Sequence, residues 1–204
     1  MHSAWTAAST VCYRSRPLSV EIVFETHSLS VDNERGRATG WLPGRLSERG
    51  RALARELGAR RRDDGIAAVF TSDLARAVET AEIAFAGTEM PVYRDERLRE
   101  CNYGALNGMP VGELEARRPR HVDEPFPEGE SWRQAVRRVK GFLDELARTR
   151  DGQRVLVVGH TATRWALDHY VSGVALEDLV SAPFEWREGW VYRVSARRSR
   201  TSAS

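Results

Sequence analysis

A chain of 204 residues and 23.0 kDa has the size of one domain with a full core. Hydrophobic residues at 41% and charged residues at 29% are the balance of an ordinary globular protein, and a formal net charge of +2 carries no bias toward nucleic acid or another polyanion. The longest apolar runs are only strand-length, which excludes a membrane span as a reading of the sequence.

The 31 basic residues include a single lysine, Lys140, a usage read as coding bias and not as a signal for a partner. The two cysteines, Cys12 and Cys101, fall in a predicted tail and a predicted loop. No C-x-x-C or His/Cys zinc spacing accompanies them, so the expectation is no metal site and a reducing, cytoplasmic compartment. Residues 1–19 lack the continuous apolar core of a signal peptide and are expected to form a flexible leader. Residues 197–204, rich in Arg and Ser, are expected to form a flexible tail, which leaves 20–196 as the domain.

Within it, 20–24 is a short apolar, β-branched run and predicts a buried strand. A glycine-rich loop follows, and then Ser47 caps a helix to about residue 60 with Leu46, Leu53 and Leu57 near one face. Residues 66–71 predict a second buried strand, and Ser72 or Asp73 starts a helix to about residue 85. A short strand is expected at 91–93. The stretch 95–129 is irregular, with four prolines and one short helix near 112–118. Its part from about 104 to 130 reads as a cap or binding insertion. The clearest helix is 131–148, where Trp132, Val136, Val139, Leu143 and Leu146 recur at four- and three-residue steps. Residues 155–158 predict a strand ending in Gly159-His160, a helix follows to about residue 171, and 191–194 predicts a last strand at a sheet edge. Alternating strands and helices predict a three-layer α/β/α fold, with a mostly parallel central sheet and helices on both faces.

In open α/β sheets, ligands bind beyond the carboxyl ends of the strands. The polar residues there are Thr26, His27 and Ser28 after the first strand, and Ser72 and Asp73 after the second, with Arg76 one turn on. Arg99 and Glu100 follow the third, and His160 follows the fourth at a helix N-terminus. That set suits phosphoryl transfer without a metal or cofactor. A neutral imidazole is a nucleophile for phosphorus. A guanidinium, a second imidazole and a helix N-terminus hold the equatorial oxygens. A carboxyl group moves the proton of the leaving oxygen and then of water.

The segment from Val23 to Asn33, V-F-E-T-H-S-L-S-V-D-N, resembles the L-V-R-H-G-E-[TS]-x-x-N opening of the histidine phosphatase (phosphoglycerate mutase-like) superfamily. Arg37-Ala38-Thr39-Gly40-Trp41 resembles R-x-T-G-W, Leu46-Ser47-Glu48-Arg49-Gly50 resembles L-[ST]-x-x-G, and 72–81 resembles S-x-L-x-R-A-x-x-T-A. Residues 98–108 are similar to L-x-E-x-x-x-G-x-x-x-G, 127–131 to P-x-G-E-S, and Val157-Val158-Gly159-His160 to the strand of the second histidine. The resemblance covers about 20–196. It implies the phosphoglycerate mutase-like fold and a small phosphorylated metabolite as partner. His27 is implied as the nucleophile that becomes phosphohistidine, Glu100 as proton donor and acceptor, and His160 and Arg76 as stabilisers of the moving group. Asn33 is implied as a phosphate ligand, with Thr26, Ser28 and Thr161 beside it, and Arg37, Arg99 and Tyr103 are expected on the substrate side.

Two positions depart from the pattern. Thr26 stands where the family has arginine, and Leu29 where it has glutamate. Loss of one preorganised donor costs about 3 kcal/mol, on the order of a hundredfold in rate. Arg37, Arg99 or Arg164 are the candidates to compensate. The departures keep a second reading open, a weakened member that binds a phosphometabolite. A mutase is the third reading, against which Val111 occupies the place expected for the mutase lysine. Arg117-Arg118 and Arg137-Arg138 are expected on solvated faces, with the first pair near enough to meet an anionic substrate.

Overall fold

The computed structural model describes residues 18–195. Along the chain run β1 (Ser19–Thr26), α1 (Val31–Glu34), β2 (Arg37–Ala38), α2 (Glu48–Arg61), β3 (Ala68–Thr71), α3 (Ala75–Ala84), β4 (Val92–Arg94) and β5 (Met109–Pro110). Then come α4 (Val111–Arg117), α5 (Trp132–Thr149), β6 (Arg154–Gly159), α6 (Thr161–Tyr170), α7 (Leu176–Ser181) and β7 (Trp190–Ser195). The expected leader and tail lie outside the described residues, apart from Leu18 and Ser19, and Ser19 already belongs to β1.

Five strands form one sheet in the order β4-β3-β6-β1-β7. The first four are parallel, and β7 closes the edge antiparallel to β1. Alternation along each strand feeds two cores. Val20, Ile22 and Phe24 of β1, Phe70 of β3 and Val155 and Val157 of β6 pack on one side with α5, α6 and α7. Val23, Val69, Leu156 and Val158 pack on the other side against Leu57 of α2 and Ala77, Ala81 and Ala84 of α3. The three layers expected from the sequence are therefore present.

The long stripe of α5 is buried as its spacing requires, from Trp132 through Val136, Val139 and Leu143 to Leu146. Each such Val or Leu contributes about 1.5–3 kcal/mol over exposure. Ser131 caps this helix in a reciprocal box with Gln134.

The start of α3 differs from expectation. Neither Ser72 nor Asp73 caps it, and the helix begins at Ala75 behind Leu74, which makes no side-chain cap bond. Both polar side chains are bound elsewhere, Ser72 to His160 and Asp73 to Arg99. Two short helices and a small ribbon were not foreseen, because α1 and α7 span too few residues to show a period. The ribbon pairs β2 with β5 over two residues each, Arg37 with Pro110 and Ala38 with Met109. It ties the loop after β1 to the insertion, which is built of 3₁₀ turns, β5 and α4 and forms one wall of the cleft described next.

Candidate active site

Register brings the site together. Thr26 is paired with Gly159, and Thr71 with Val158. The residues that leave β1, β3 and β6 are therefore His27, Ser72 and His160, side by side at the carboxyl edge of the sheet. The His27 N–H donates to the Gly159 carbonyl at 2.9 Å, and the two imidazole centroids are 5.0 Å apart. They stand on the floor of a cleft of about 630 Å³.

Arg76, on the first turn of α3, lies between the rings and is 2% exposed. Its Nε donates to His27 Nε2 at 3.3 Å, and its Nη2 reaches the Gly40 carbonyl at 2.9 Å and His160 Nδ1 at 3.3 Å. Its Nη1 is buried and finds no partner among the described residues. Gly40 holds its carbonyl in place at φ +55°, and a Cβ there would fall 1.8 Å from Asn107 Oδ1, so only glycine fits.

These contacts assign the protons. The Ser28 carbonyl, 2.7 Å from His27 Nδ1, can only accept, so Nδ1 carries the hydrogen and Nε2 the lone pair. A guanidinium can only donate, so Nδ1 of His160 is bare, and its Nε2–H donates to Ser72 Oγ at 2.7 Å. Burial first, and then the charge of Arg76, lower His27 to about 3 and hold His160 well below the usual imidazole range. Both rings are neutral at pH 7. Burial also lowers Arg76, against the pull of Glu100, Tyr103 and Asp32.

Glu100 is 8% exposed and sits at the N-terminus of α6. Its Oε1 accepts from the N–H groups of Cys101 (2.8 Å) and Ala162 (3.0 Å), and Oε2 from that of Thr161 at 3.2 Å. The Glu100 main chain is held in turn, since its carbonyl accepts from Trp41 Nε1 at 2.6 Å and from Arg138 Nη2 at 2.7 Å.

Thr26, Ser28, Asn33 and Thr161 all line the cleft. The Ser28 N–H is taken by Thr80 Oγ1 at 2.9 Å, so its hydroxyl is the group left for a ligand. Asn33 Oδ1 closes a capping box with Ser30. Tyr103 and Arg37 also line the cleft, and Arg37 Nη1 bonds the Gly108 carbonyl at 3.2 Å. Arg99 and Arg164 are absent from the lining. Arg99 forms a two-point pair with Asp73 and lies 4.6 Å over Trp41, and Arg164 binds Asp168 at 2.6 Å and lies 4.2 Å over Trp190. Neither joins Thr26 in the lining, so neither compensates as expected from the sequence.

Several positions escaped the sequence reading. Ser72 is expected at the carboxyl edge of the sheet and as a candidate cap, but nothing in the sequence pairs it with His160. Arg138, expected on a solvated face, binds the carbonyls of Arg97, Arg99 and Glu100 at 2.7–2.8 Å and pairs with Glu130 at 2.5 Å. Arg118 is likewise buried and lines the cleft, whereas Arg117 is exposed as expected. Nothing local in the sequence distinguishes these arginines from their solvated neighbours. Among the described residues no group of three or more His, Cys, Asp or Glu is placed to hold a metal ion, and no helix is long and apolar enough to cross a membrane.

Two neutral imidazoles thus flank a buried, incompletely bonded guanidinium at the carboxyl edge of the sheet. The chain belongs to the histidine phosphatase superfamily, branch 1, whose family model matches residues 22–202. It is similar to Phosphoserine phosphatase 1 of Hydrogenobacter thermophilus, with 35% identity over 166 residues, 77% of this chain and 78% of that protein. It is also similar to a 2,3-bisphosphoglycerate-dependent phosphoglycerate mutase of Methylobacterium sp., with 33% identity over 190 residues, 86% of this chain and 91% of that protein. Among solved structures, Bacillus stearothermophilus YhfR superposes with a TM-score of 0.75 at 28% identity, over 88% of this chain and 92% of that one.

Proposed function

We propose that this chain hydrolyses a small phosphomonoester through a phosphohistidine at Nε2 of His27, with no metal or cofactor. The observation that carries the reading is the Arg76 guanidinium, which aims Nε at the nucleophilic nitrogen, Nη2 at the second histidine, and keeps a buried Nη1 unbonded among the described residues. A dianionic phosphoryl group answers all three, and it removes the cost of an uncompensated buried charge.

In the first half-reaction the Nε2 lone pair of His27 attacks phosphorus, the ester P–O bond breaks, and the leaving oxygen takes a proton from the Glu100 carboxyl group. In the second, Glu100 takes a proton from water, the water oxygen attacks phosphorus, and the Nε2–P bond breaks to release inorganic phosphate. Arg76 and Asn33 hold the equatorial oxygens, with the hydroxyls of Thr26, Ser28 and Thr161 in support. His160, oriented by Ser72 and Arg76, stabilises the transferring group. Arg37 and Tyr103 face the rest of the substrate.

Thr26 supports one further reading. A threonine offers a single neutral hydroxyl where an arginine offers a fork of donors, and the result is either a slow hydrolase or a binding protein for phosphometabolites. A mutase is disfavoured by Val111 on the cleft wall, which cannot hold a second anionic group. A panel of phosphate esters, assayed with wild type and His27→Ala, tests these readings together with an alkaline quench that traps phosphate on His27. Turnover lost in the variant and label on His27 support the hydrolase. Turnover that survives His27→Ala overturns it, and tight phosphate binding without turnover supports the binding protein.

A further inference from the structure

Beyond the histidine pair the cleft has a wall with no catalytic role. Arg49, Leu53, Leu57 and Arg60 recur along α2 at four- and three-residue steps, so that one helix face lines the cleft with two leucines at its middle. Leu29, two places after His27, adds a third leucine. Phe184 and Trp186, in the segment that leads into β7, line the cleft as well, and Trp186 leaves 59% of its surface in water. An indole is a costly group to leave so exposed, and its cost is removed when an apolar partner covers it.

The charges around this wall largely satisfy one another. Arg60 stands 3.8 Å from Glu25 and 3.7 Å from Glu188, and Arg118 stands 3.6 Å from Glu115. Arg49 and Glu56, which also line the cleft on α2, have no ion pair among the described residues, but they are of opposite sign, so the wall has no net charge with which to prefer a second phosphate or a carboxylate next to the leucines.

Resting on the phosphatase reading, we propose that the alcohol half of the substrate is apolar and ring-sized, an alkyl chain or aromatic ring seated between Leu29, Leu53 and Leu57 on one side and Phe184 and Trp186 on the other. A polar, charged alcohol of the serine or glycerate kind would leave this surface wet.

Binding of ethyl-, butyl- and hexylphosphonate, measured by calorimetry, tests this without turnover, because their P–C bond offers no alcohol leaving group. Affinity is expected to rise about fourfold per added methylene until the slot is filled. Trp186→Ala and, independently, Leu53→Asn are expected to flatten that slope. An equal Kd along the series, tighter binding of 3-phosphonopropionate than of butylphosphonate, or no binding by any of them overturns the proposal. A flat series beside His27-dependent hydrolysis overturns the apolar slot alone. A steep series beside turnover that ignores His27→Ala overturns the catalytic reading and leaves the slot standing.

Discussion

The hydroxyl of Ser72 lies 2.7 Å from Nε2 of His160, and both side chains are buried, with His160 lining the cleft. With Arg76 donating to the other nitrogen, this contact fixes which edge of the ring faces the anion site. Ser72→Ala leaves a buried N–H without its acceptor, at a cost of about 1–3 kcal/mol. The expected result is a lower denaturant midpoint together with a fall in kcat that exceeds any change in KM. A variant as stable and as active as wild type would show that the ring needs no such anchor.

Arg76 is a buried cation whose Nη1 has no partner among the described residues, and the proposed function assigns that nitrogen to the ligand. Replacing it by an apolar side chain of similar length removes a desolvation cost while it sacrifices three hydrogen bonds. Arg76→Met is expected to change stability by less than about 2 kcal/mol and to lower kcat/KM by on the order of a hundredfold or more. Denaturation curves and steady-state kinetics on the same preparation check both halves. A collapse of the fold with the activity would make Arg76 a structural residue first.

The parts of this molecule that were legible in the sequence are those written locally. The stripe of α5, the apolar runs of β1 and β6, and the histidines at the strand ends all rest on local patterns and on a topological rule that needs no distant partner. The start of α3 was misread because Ser72 and Asp73 look alike in sequence whether they cap a helix or reach across the sheet. Arg99 and Arg138 were misplaced for the same reason. Arg99 turns away to Asp73, 26 residues back, and Arg138 turns inward to carbonyls about 40 positions away. The apolar slot joins residues 29, 53, 57, 184 and 186, and only the fold makes them neighbours.

The neutral histidines impose a pH dependence on stability. The ordinary value of His27 is 6.5, and burial followed by Arg76 lowers it to about 3 in the fold. Between those values the unfolded chain binds a proton that the native state does not. Stability is therefore complete above pH 6.5 and is lost as the pH falls toward 3, by about 2 kcal/mol at pH 5. His160, lowered by the same causes, adds to the loss. Thermal melts of the ligand-free protein from pH 7 to pH 5 are expected to show a falling Tm, with a flatter profile for His27→Asn. Equal slopes for the two proteins would mean that His27 is protonated inside the fold.

Arg138 connects α5 to the backbone of Arg97, Arg99 and Glu100 by three carbonyl bonds, and it pairs with Glu130. Removing the side chain leaves those carbonyls and the Glu130 carboxylate without their donor, at a cost of about 3–5 kcal/mol. Arg138→Ala is expected to lower Tm by several degrees and to lower kcat, because Glu100 loses one of the two donors that hold its carbonyl. Arg137→Ala, next to it on the exposed face, is the control and is expected to change neither. Similar effects from both variants would place the source of the loss in helix propensity and not in the clamp.

Thr26 ends β1 opposite Gly159 and lines the cleft beside His27. The motif resemblance implies arginine there, and neither Arg99 nor Arg164 lines the cleft to replace it. Thr26→Arg would supply donors to the moving phosphoryl group, worth about 3 kcal/mol or on the order of a hundredfold in kcat/KM. The same change sets a second cation close to Arg76, whose charge is already disfavoured by burial. The ligand-free variant is thus expected to melt below wild type, and vanadate to recover more stability in the variant than in wild type. Kinetics on one chromogenic ester and melts with and without vanadate separate the two effects. A variant that binds vanadate more tightly yet turns over no faster would mean that the pocket around threonine is tuned for holding a phosphoryl group and not for transferring it.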